Sequence, residues 1–281
     1  MKRVIVTGSK GGTGRSIVKV LRSAGYDVLG IDVKPAEPDD VGYVQADLAT
    51  DPGLHDLFTG AEGVAHFGSL PSDSDTSRST AFHNLMLGGF NVFQTCANLG
   101  IKRIADASSI MVYGNFLDRR DLVLPVDEHL PSYAIDIYSS CKVMLEQLAS
   151  DMCRWHGLSI AAFRLSRIVY EGCFEWRLKR HTESDASAAS GLWAYVDARD
   201  VARACQLWLE TDLQGFHAFN IAADDVCVDR LTRDLLKAFY PHAREFREDF
   251  AGQKAPFSSA ALKKSLGWSA QYNWRDLRDG K

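Results

Sequence analysis

Short apolar runs alternate with longer stretches of helical period through the first two-thirds of the chain. "RVIVTG" reads as a strand, and residues 12–24 repeat apolar positions at helical spacing until Gly25 stops them. "DVLGID" is the second strand. "VGYVQAD" and "GVAHFG" are the third and fourth, with a short helix over 53–59 between them. A long helix over 77–99 ends at Gly100, "KRIADASS" is a fifth strand, a second long helix over 135–156 ends at Gly157, and "LSIAAFRLS" is a sixth strand. Apolar strands alternating with helices form right-handed βαβ units. The expected class is therefore α/β, a doubly wound parallel sheet with helices on both faces.

Past residue 165 the pattern loosens. Residues 180–191, with the small polar run "HTESDASAASG", read as a mobile loop. "VDARDVARACQLWLE" reads as one helix with Asp197 or Asp200 near its start, "HAFNIA" as a strand, and 229–239 and 258–266 as short helices. This tail is expected to be a small lobe over one end of the sheet. Ligands of such sheets sit outside the carboxyl ends of the strands, so a lobe there closes over them.

The composition narrows the classes. A chain of 281 residues holds one large domain, or one domain and a small lobe. Apolar residues at 46% and charged residues at 24% are ordinary for a soluble globular protein. A net charge of −4 gives no electrostatic footprint for nucleic acid, and the basic run 177–180 reads as a solvated loop face. No apolar run approaches the length of a membrane span, and the one in "MKRVIVTG" is too short for a signal peptide. Six scattered cysteines without a C-x-x-C pair read as free thiols of a reducing cytosol. The eight histidines show no ligand spacing, so no metal site is expected.

The first strand runs into "TGSKGGTGRS", which places Gly8, Gly11, Gly12 and Gly14 between a strand and a helix. Gly8 permits the tight turn, Gly11 lets the backbone approach a pyrophosphate, and Gly14 lets helix and strand pack closely. The helix N-terminus then offers free N–H groups and a positive dipole end to the anion. Asp32 closes the second strand, where a carboxylate bonds the adenosine ribose and repels a 2′-phosphate, favouring NAD over NADP; Lys34 nearby keeps NADP open. Asp47 either bonds the adenine edge or caps the following segment. On this reading residues 1–165 form the dinucleotide-binding domain, with 194–222 returning to it, and 166–193 with 223–281 form the substrate lobe.

The fifth strand ends in Ser108 and Ser109, and the second long helix carries Tyr138 and Lys142 four apart, on one face. Alone, that spacing is a weak motif. In this setting a lysine ammonium and a cationic nicotinamide favour the phenolate. Lowering a tyrosine from about 10 towards 7 requires roughly 4 kcal/mol of such stabilisation. Tyr138 then removes a hydroxyl proton while hydride leaves the adjacent carbon, and Ser109 holds the same oxygen.

The order of these features resembles the extended short-chain dehydrogenase/reductases, the NAD-dependent epimerase/dehydratase group. The resemblance rests on "TGSKGGTG", Asp32, "ADL" at 46–48, "ASSIMVYG", "YSSCK", Arg164 in "FRLSR", "YVDARDVARA" and "FNIA"; "LGWSAQYNW" near the end also fits. It implies Tyr138 as acid/base, Lys142 on the ribose, Ser109 on the substrate, and a homodimer through the helices 77–99 and 135–156. Leu48 and Ser108 are taken as further cofactor contacts, and Ser69 as a substrate contact. The family commonly has Asn three residues before a Gly-Thr-type pair. Here Asn84 stands four before Gly88 and Leu85 holds the expected place, so Asn84 is kept as a substrate-side position.

Sugar-nucleotide dehydratases carry an Asp-Glu pair just after the catalytic hydroxyl residue. Ile110 and Met111 stand there and cannot move protons, which disfavours dehydration. The short C-terminal part resembles uronate dehydrogenases, which oxidise a free hexuronate to its lactone with NAD. "FEWRLKR" falls where those enzymes bind the carboxylate, so Arg177 is either a bidentate clamp or an exposed lid arginine. Where those enzymes have Asn and His, Ile110 and Met111 make the substrate wall apolar. Tyr113, Trp176 and Trp193 either add aromatic surface to the pocket or lie in the core, and Cys141 reads as a packing residue. The expected activity is NAD-dependent oxidation of a small sugar, sugar acid or polyol-like substrate. The alternatives are a sugar or nucleotide-sugar epimerase without net redox change, and a dinucleotide-sensing regulator.

Overall fold

The structure, a computed structural model, describes residues 2–69 and 77–279. Strand β1 (Arg3–Thr7) buries Val4, Ile5 and Val6 in succession, as a strand covered on both faces does. It feeds helix α1 (Gly12–Ser23), which turns Gly14, Ile17 and Leu21 inwards at helical spacing. There follow β2 (Asp27–Asp32), β3 (Tyr43–Gln45), α2 (Leu54–Phe58), β4 (Gly63–His66), α3 (Arg78–Leu99) and β5 (Arg103–Ser109). The chain continues through β6 (Val123–Leu124), α4 (Ile137–His156), β7 (Ser159–Leu165), β8 (Arg167–Val169), α5 (Lys179–Thr182), α6 (Asp185–Ala189) and β9 (Tyr195–Asp197). It ends with α7 (Ala198–Glu210), β10 (Gly215–Ile221), α8 (Thr232–Phe239), β11 (Glu245–Phe246), α9 (Ala260–Leu266) and α10 (Trp274–Arg278). Both long helices stop where the sequence places their glycines, Gly100 and Gly157, each in the left-handed conformation.

Seven strands form one parallel sheet in the order β3-β2-β1-β4-β5-β7-β10. The chain winds outwards from β1 in one direction and from β4 in the other, so the topological switch point lies between those two strands. Helices α1 and α7 cover one face, where Val6, Ile17, Phe163 and Trp208 share a core. Helices α3 and α4 cover the other, around Ile5, Phe93, Ile104 and Met152. A third apolar cluster, with Phe116, Trp193, Tyr195, Tyr240 and Trp274, lies beyond the carboxyl ends of β5 and β7.

Two expectations need correction. The stretch read as one helix from Val196 is the end of β9 followed by α7. Asp197 caps α7 by accepting from the Arg199 N–H (2.8 Å), while Asp200 accepts from the N–H groups of Gln271 and Tyr272 (3.0 Å each) and ties the C-terminal segment to α7. Residues 180–191 are not an open loop. A π-helical turn, Phe174–Leu178, leads into α5 and α6, and His181, Ala188 and Ala189 are buried. Small polar composition misleads there because the polar groups bond within the segment: His181 Nδ1 meets Ser187 O (3.0 Å), and the Ser187 hydroxyl donates to Ser184 O (3.0 Å).

Trp193 and Tyr113 lie in the core, whereas Trp176 is 61% exposed. All six cysteines are free and buried, Cys141 among them. Among the described residues no helix is long and apolar enough to cross a membrane.

Candidate active site

The loop after β1 is folded against its neighbours so closely that side chains are excluded. Gly8 has φ +67°, and a Cβ on it would lie 2.3 Å from Phe67 O, in the loop after β4. A Cβ on Gly14 would lie 2.0 Å from Gly8 O, and one on Gly12 would strike the ring of Tyr170 at 2.5 Å. Helix α1 opens at Gly11 with no side-chain cap and no acidic residue in its first turn. Its first N–H groups are thus available to an anion at the switch point.

Asp32 ends β2 and accepts from the backbone N–H of Lys10 (2.9 Å) and Lys34 (3.2 Å). Lys10, whose ammonium meets Asp40 (2.6 Å), extends this tie across the loop. Asp47 accepts from the Ala49 N–H (2.9 Å) and shapes the turn before α2, the capping alternative raised above. Leu48 is buried against the glycines of α3 and the β4 loop. Asn91, which drew no attention in the sequence, donates to Leu48 O (2.9 Å) and fixes this turn on α3.

A cavity of about 650 Å³ is lined by the glycine loop, the ends of β5 and β7, the start of α4, the turn Phe174–Leu178 and α6. Tyr138, Lys142, Ser108, Ser109, Ser69, Ile110, Met111 and Arg177 all line it. Asn84 does not: α3 turns Leu85, Gly88, Gly89 and Val92 inwards, and Asn84 falls on the half-buried flank of that stripe.

A capping box fixes where α4 begins. Asp136 accepts from the Ser139 N–H (2.7 Å), and Ser139 Oγ accepts from the Asp136 N–H (3.0 Å). Tyr138 therefore sits on the first turn, half-buried, with the Lys142 ammonium 5.7 Å from its ring centre. Lys142 is 4% exposed and donates to Ala107 O on β5 (2.6 Å). Ser109 Oγ accepts from the Met111 N–H (3.1 Å), at the turn that carries Ile110 and Met111 into the cavity wall.

The Ser108 hydroxyl donates to Glu146, one turn beyond Lys142 on α4. Glu146 also receives Arg164 of β7 in a bidentate pair, Nε–Oε1 3.0 Å and Nη2–Oε2 2.7 Å. Arg164 donates to the Tyr113 hydroxyl (2.7 Å), which donates to Asn220 on β10 (2.7 Å). Burial works against the Arg164 charge, but Glu146 and Tyr113 hold it above the usual arginine range. This network locks α4 to the ends of three strands.

His66 lies beneath the same region, its Nδ1 2.8 Å from Thr7 Oγ1. Burial, then Lys142, push its pKa down to about 3 from 6.5. Between these values the unfolded chain binds a proton that the native chain does not, so this group's stability contribution is lost as pH falls. From pH 7 to pH 5 the chain should lose about 2 kcal/mol more stability than a His66→Gln variant. Urea unfolding at the two pH values checks this. The buried Asp106, which acts with the opposite sign, is common to both proteins.

The cavity is cationic. Arg167, Arg177 and Arg180 join Lys142 in lining it, and no Asp or Glu does so among the described residues. Arg177 Nε donates to Ile168 O (2.9 Å), which leaves its two terminal amino groups beyond that bond. Arg180 Nε donates to His181 Nε2 (3.2 Å), and His181 Nδ1 meets Ser187 O. Burial first, then Arg167 and Arg180, push His181 down to about 4, so it is a neutral acceptor that orients Arg180. The sequence reading missed Arg167, Arg180, His181 and Tyr170; the only signal was a basic run resembling a solvated face.

A family model for the NAD dependent epimerase/dehydratase family matches residues 4–222. The chain is 27% identical over 165 residues to a UDP-glucose 4-epimerase of Bacillus subtilis, covering 53% of this chain and 47% of that protein. It is 28% identical over 173 residues to a uronate dehydrogenase of Pseudomonas putida, covering 58% and 60%. The matched stretches thus span about half of these relatives. In fold the chain is similar to a short-chain dehydrogenase/reductase superfamily protein from Agrobacterium tumefaciens solved with bound NAD (TM-score 0.75, 21% identity, 99% of this chain and 95% of that one). One relative is an epimerase and the other a dehydrogenase, so likeness alone leaves the net reaction open. The chain belongs to the NAD dependent epimerase/dehydratase family, NAD-dependent enzymes of the short-chain dehydrogenase/reductase type.

Proposed function

We propose that this protein is an NAD-dependent dehydrogenase that oxidises a hydroxyl-bearing carbon of a small sugar acid, with the acid group held by arginines. One observation carries the reading. One cavity is lined by Tyr138, Lys142 and Ser109, by Arg167, Arg177 and Arg180, and by no carboxylate among the described residues.

The residues present suit NAD. Gly8, Gly11, Gly12 and Gly14 all line the cavity at the start of α1, where a pyrophosphate would meet backbone N–H groups. The Asp32 carboxylate, at the end of β2, suits the ribose hydroxyls and disfavours a 2′-phosphate. Lys142 suits the second ribose. The Ser108 hydroxyl is engaged by Glu146, so Ser108 offers the cofactor its backbone and not its hydroxyl. When bound, NAD supplies the hydride acceptor.

The chain's own part is proton handling and orientation. Tyr138 as phenolate takes the hydroxyl proton onto Oη, and Lys142 stabilises the phenolate by its charge. Ser109 donates to the substrate oxygen. Ile110 and Met111 exclude water from one wall, and Arg177, joined by Arg180, holds the acid group. Exposed Phe82, Leu87 and Phe90 on α3 and Met144 and Trp155 on α4 support a homodimer through these helices.

The test is reduction of free NAD with a panel of hexuronates, hydroxy acids and neutral polyols, run on the natural chain and Arg177→Met. The expected result is turnover of acidic substrates, with KM raised about 10-fold or more in the variant because a charge-assisted pair is lost. Turnover of neutral substrates should be unchanged. Equal KM for an acidic substrate in both proteins contradicts the clamp. Tightly held NAD with isomerised nucleotide sugars and no net reduction points instead to an epimerase, whose diphosphate the same arginines would meet.

A further inference from the structure

A carboxyl group lies beneath the Tyr138–Lys142 pair that the chemistry above does not use. Asp106 stands in the middle of β5, 4% exposed, in register with His66 on β4 and Ala162 on β7. Side chains two apart on a strand share a face. Asp106 therefore shares its face with Ser108, whose hydroxyl reaches Glu146 on α4. Asp106 thus faces the layer between the sheet and α4. Lys142 crosses that layer to donate to Ala107 O, the carbonyl next along the strand (2.6 Å).

The charged and titratable groups facing Asp106 are few. Helix α4 brings Lys142, which attracts the carboxylate, and Glu146, which repels it. Strand β4 brings His66, neutral and bonded to Thr7, with Phe93 of α3 against its ring. Strand β7 brings Ala162. Glu146 is already paired with Arg164, so Lys142 is the cation left to balance Asp106. Burial raises the carboxyl to about 6 in spite of Lys142. A buried acid without a counter-charge opposes folding, and the residues flanking Asp106 on this strand, Ile104, Ala105 and Ala107, are apolar and buried.

We propose that Asp106 is a positioning residue that acts through Lys142 and sets the pH range over which Tyr138 works as a base. The proposal rests on the reading of Tyr138 and Lys142 as the proton-handling pair. Ionised, Asp106 draws the ammonium towards the sheet and offsets part of the positive field at the phenol. Protonated, it leaves that field whole. The carboxylate therefore weakens the support that Lys142 gives a developing phenolate, and its removal should let the reaction run at lower pH. Asp106 touches neither substrate nor cofactor in this account.

The test is the pH dependence of kcat/KM for NAD-dependent oxidation in the natural chain, Asp106→Asn and Asp106→Ser, with Tyr138→Phe alongside. Both neutral variants should move the ascending limb to lower pH by about one unit, because a nearby negative charge is removed. A merely structural role would lower the rate without moving the limb, and that result overturns the proposal. Failure of both variants to fold also overturns it, since a charge that only tunes Lys142 is dispensable for folding. If Tyr138→Phe stays active, the reading of the pair itself is wrong. An inactive Tyr138→Phe with coincident limbs in the other proteins defeats only the role of Asp106.

Discussion

Replacing Tyr138 with Phe should abolish turnover while leaving NAD affinity nearly intact. The hydroxyl is the only group the substitution removes. The ring stays on the first turn of α4, where the Asp136–Ser139 capping box holds the backbone independently of it. Lys142 keeps its bond to Ala107 O, so its ammonium stays in place for the ribose. Positioned acid–base groups contribute about 10² to 10⁴ in rate, and Tyr138 is the proton acceptor in the proposed site. The loss should fall in kcat rather than KM. Steady-state kinetics with a calorimetric titration of NAD separate the two effects. Full activity in this variant, or loss of NAD binding with it, contradicts the assignment.

The second large effect concerns stability. Glu146→Ala should cost about 3–5 kcal/mol, because it leaves the Arg164 guanidinium buried without its counter-charge. Native domains hold about 5–15 kcal/mol in all, so this variant should be close to unfolding at moderate temperature. The Ser108 hydroxyl and the Tyr113–Asn220 link lose their anchor at the same time. The double change Glu146→Leu with Arg164→Met should recover much of the loss, since an apolar pair of similar volume needs no partner. Urea unfolding of the two variants measures it. Equal destabilisation by both would show that the network matters through shape and not charge.

The sequence carried the parts of the fold that local chemistry determines. A helix after a glycine loop, two long helices closed by Gly100 and Gly157, and apolar strands between them follow from period and capping. Asp200 was ambiguous because its partners, the N–H groups of Gln271 and Tyr272, lie far along the chain. Residues 180–191 misled because Ala188 and Ala189 look permissive in sequence but pack in the lobe's core. Leu192 and Trp193 make the same point. Both take left-handed backbone conformations that side chains rarely adopt, and both are fully buried, so tertiary packing overrides local preference there.

The site divides in the same way. Tyr138, Lys142, Ser109 and the glycines stood out because their spacing has a chemical reason. Arg167, Arg180 and His181 did not, because β8 and α5 bring them to the cavity only through the lobe's packing. Asp106 was read as one more strand residue, since only burial and register reveal that it lies under Lys142. Asn84 fails for the complementary reason: a one-residue offset on a helix turns a side chain off the inward stripe.

The stoichiometry of NAD reduction separates dehydrogenase from epimerase most directly. Purified protein with excess free NAD and a hexuronate should form one reduced nicotinamide for each substrate oxidised, over many turnovers. Its absence across acidic and neutral substrates, with a single tightly held NAD per chain and a product isomeric with its substrate, would contradict the dehydrogenase reading.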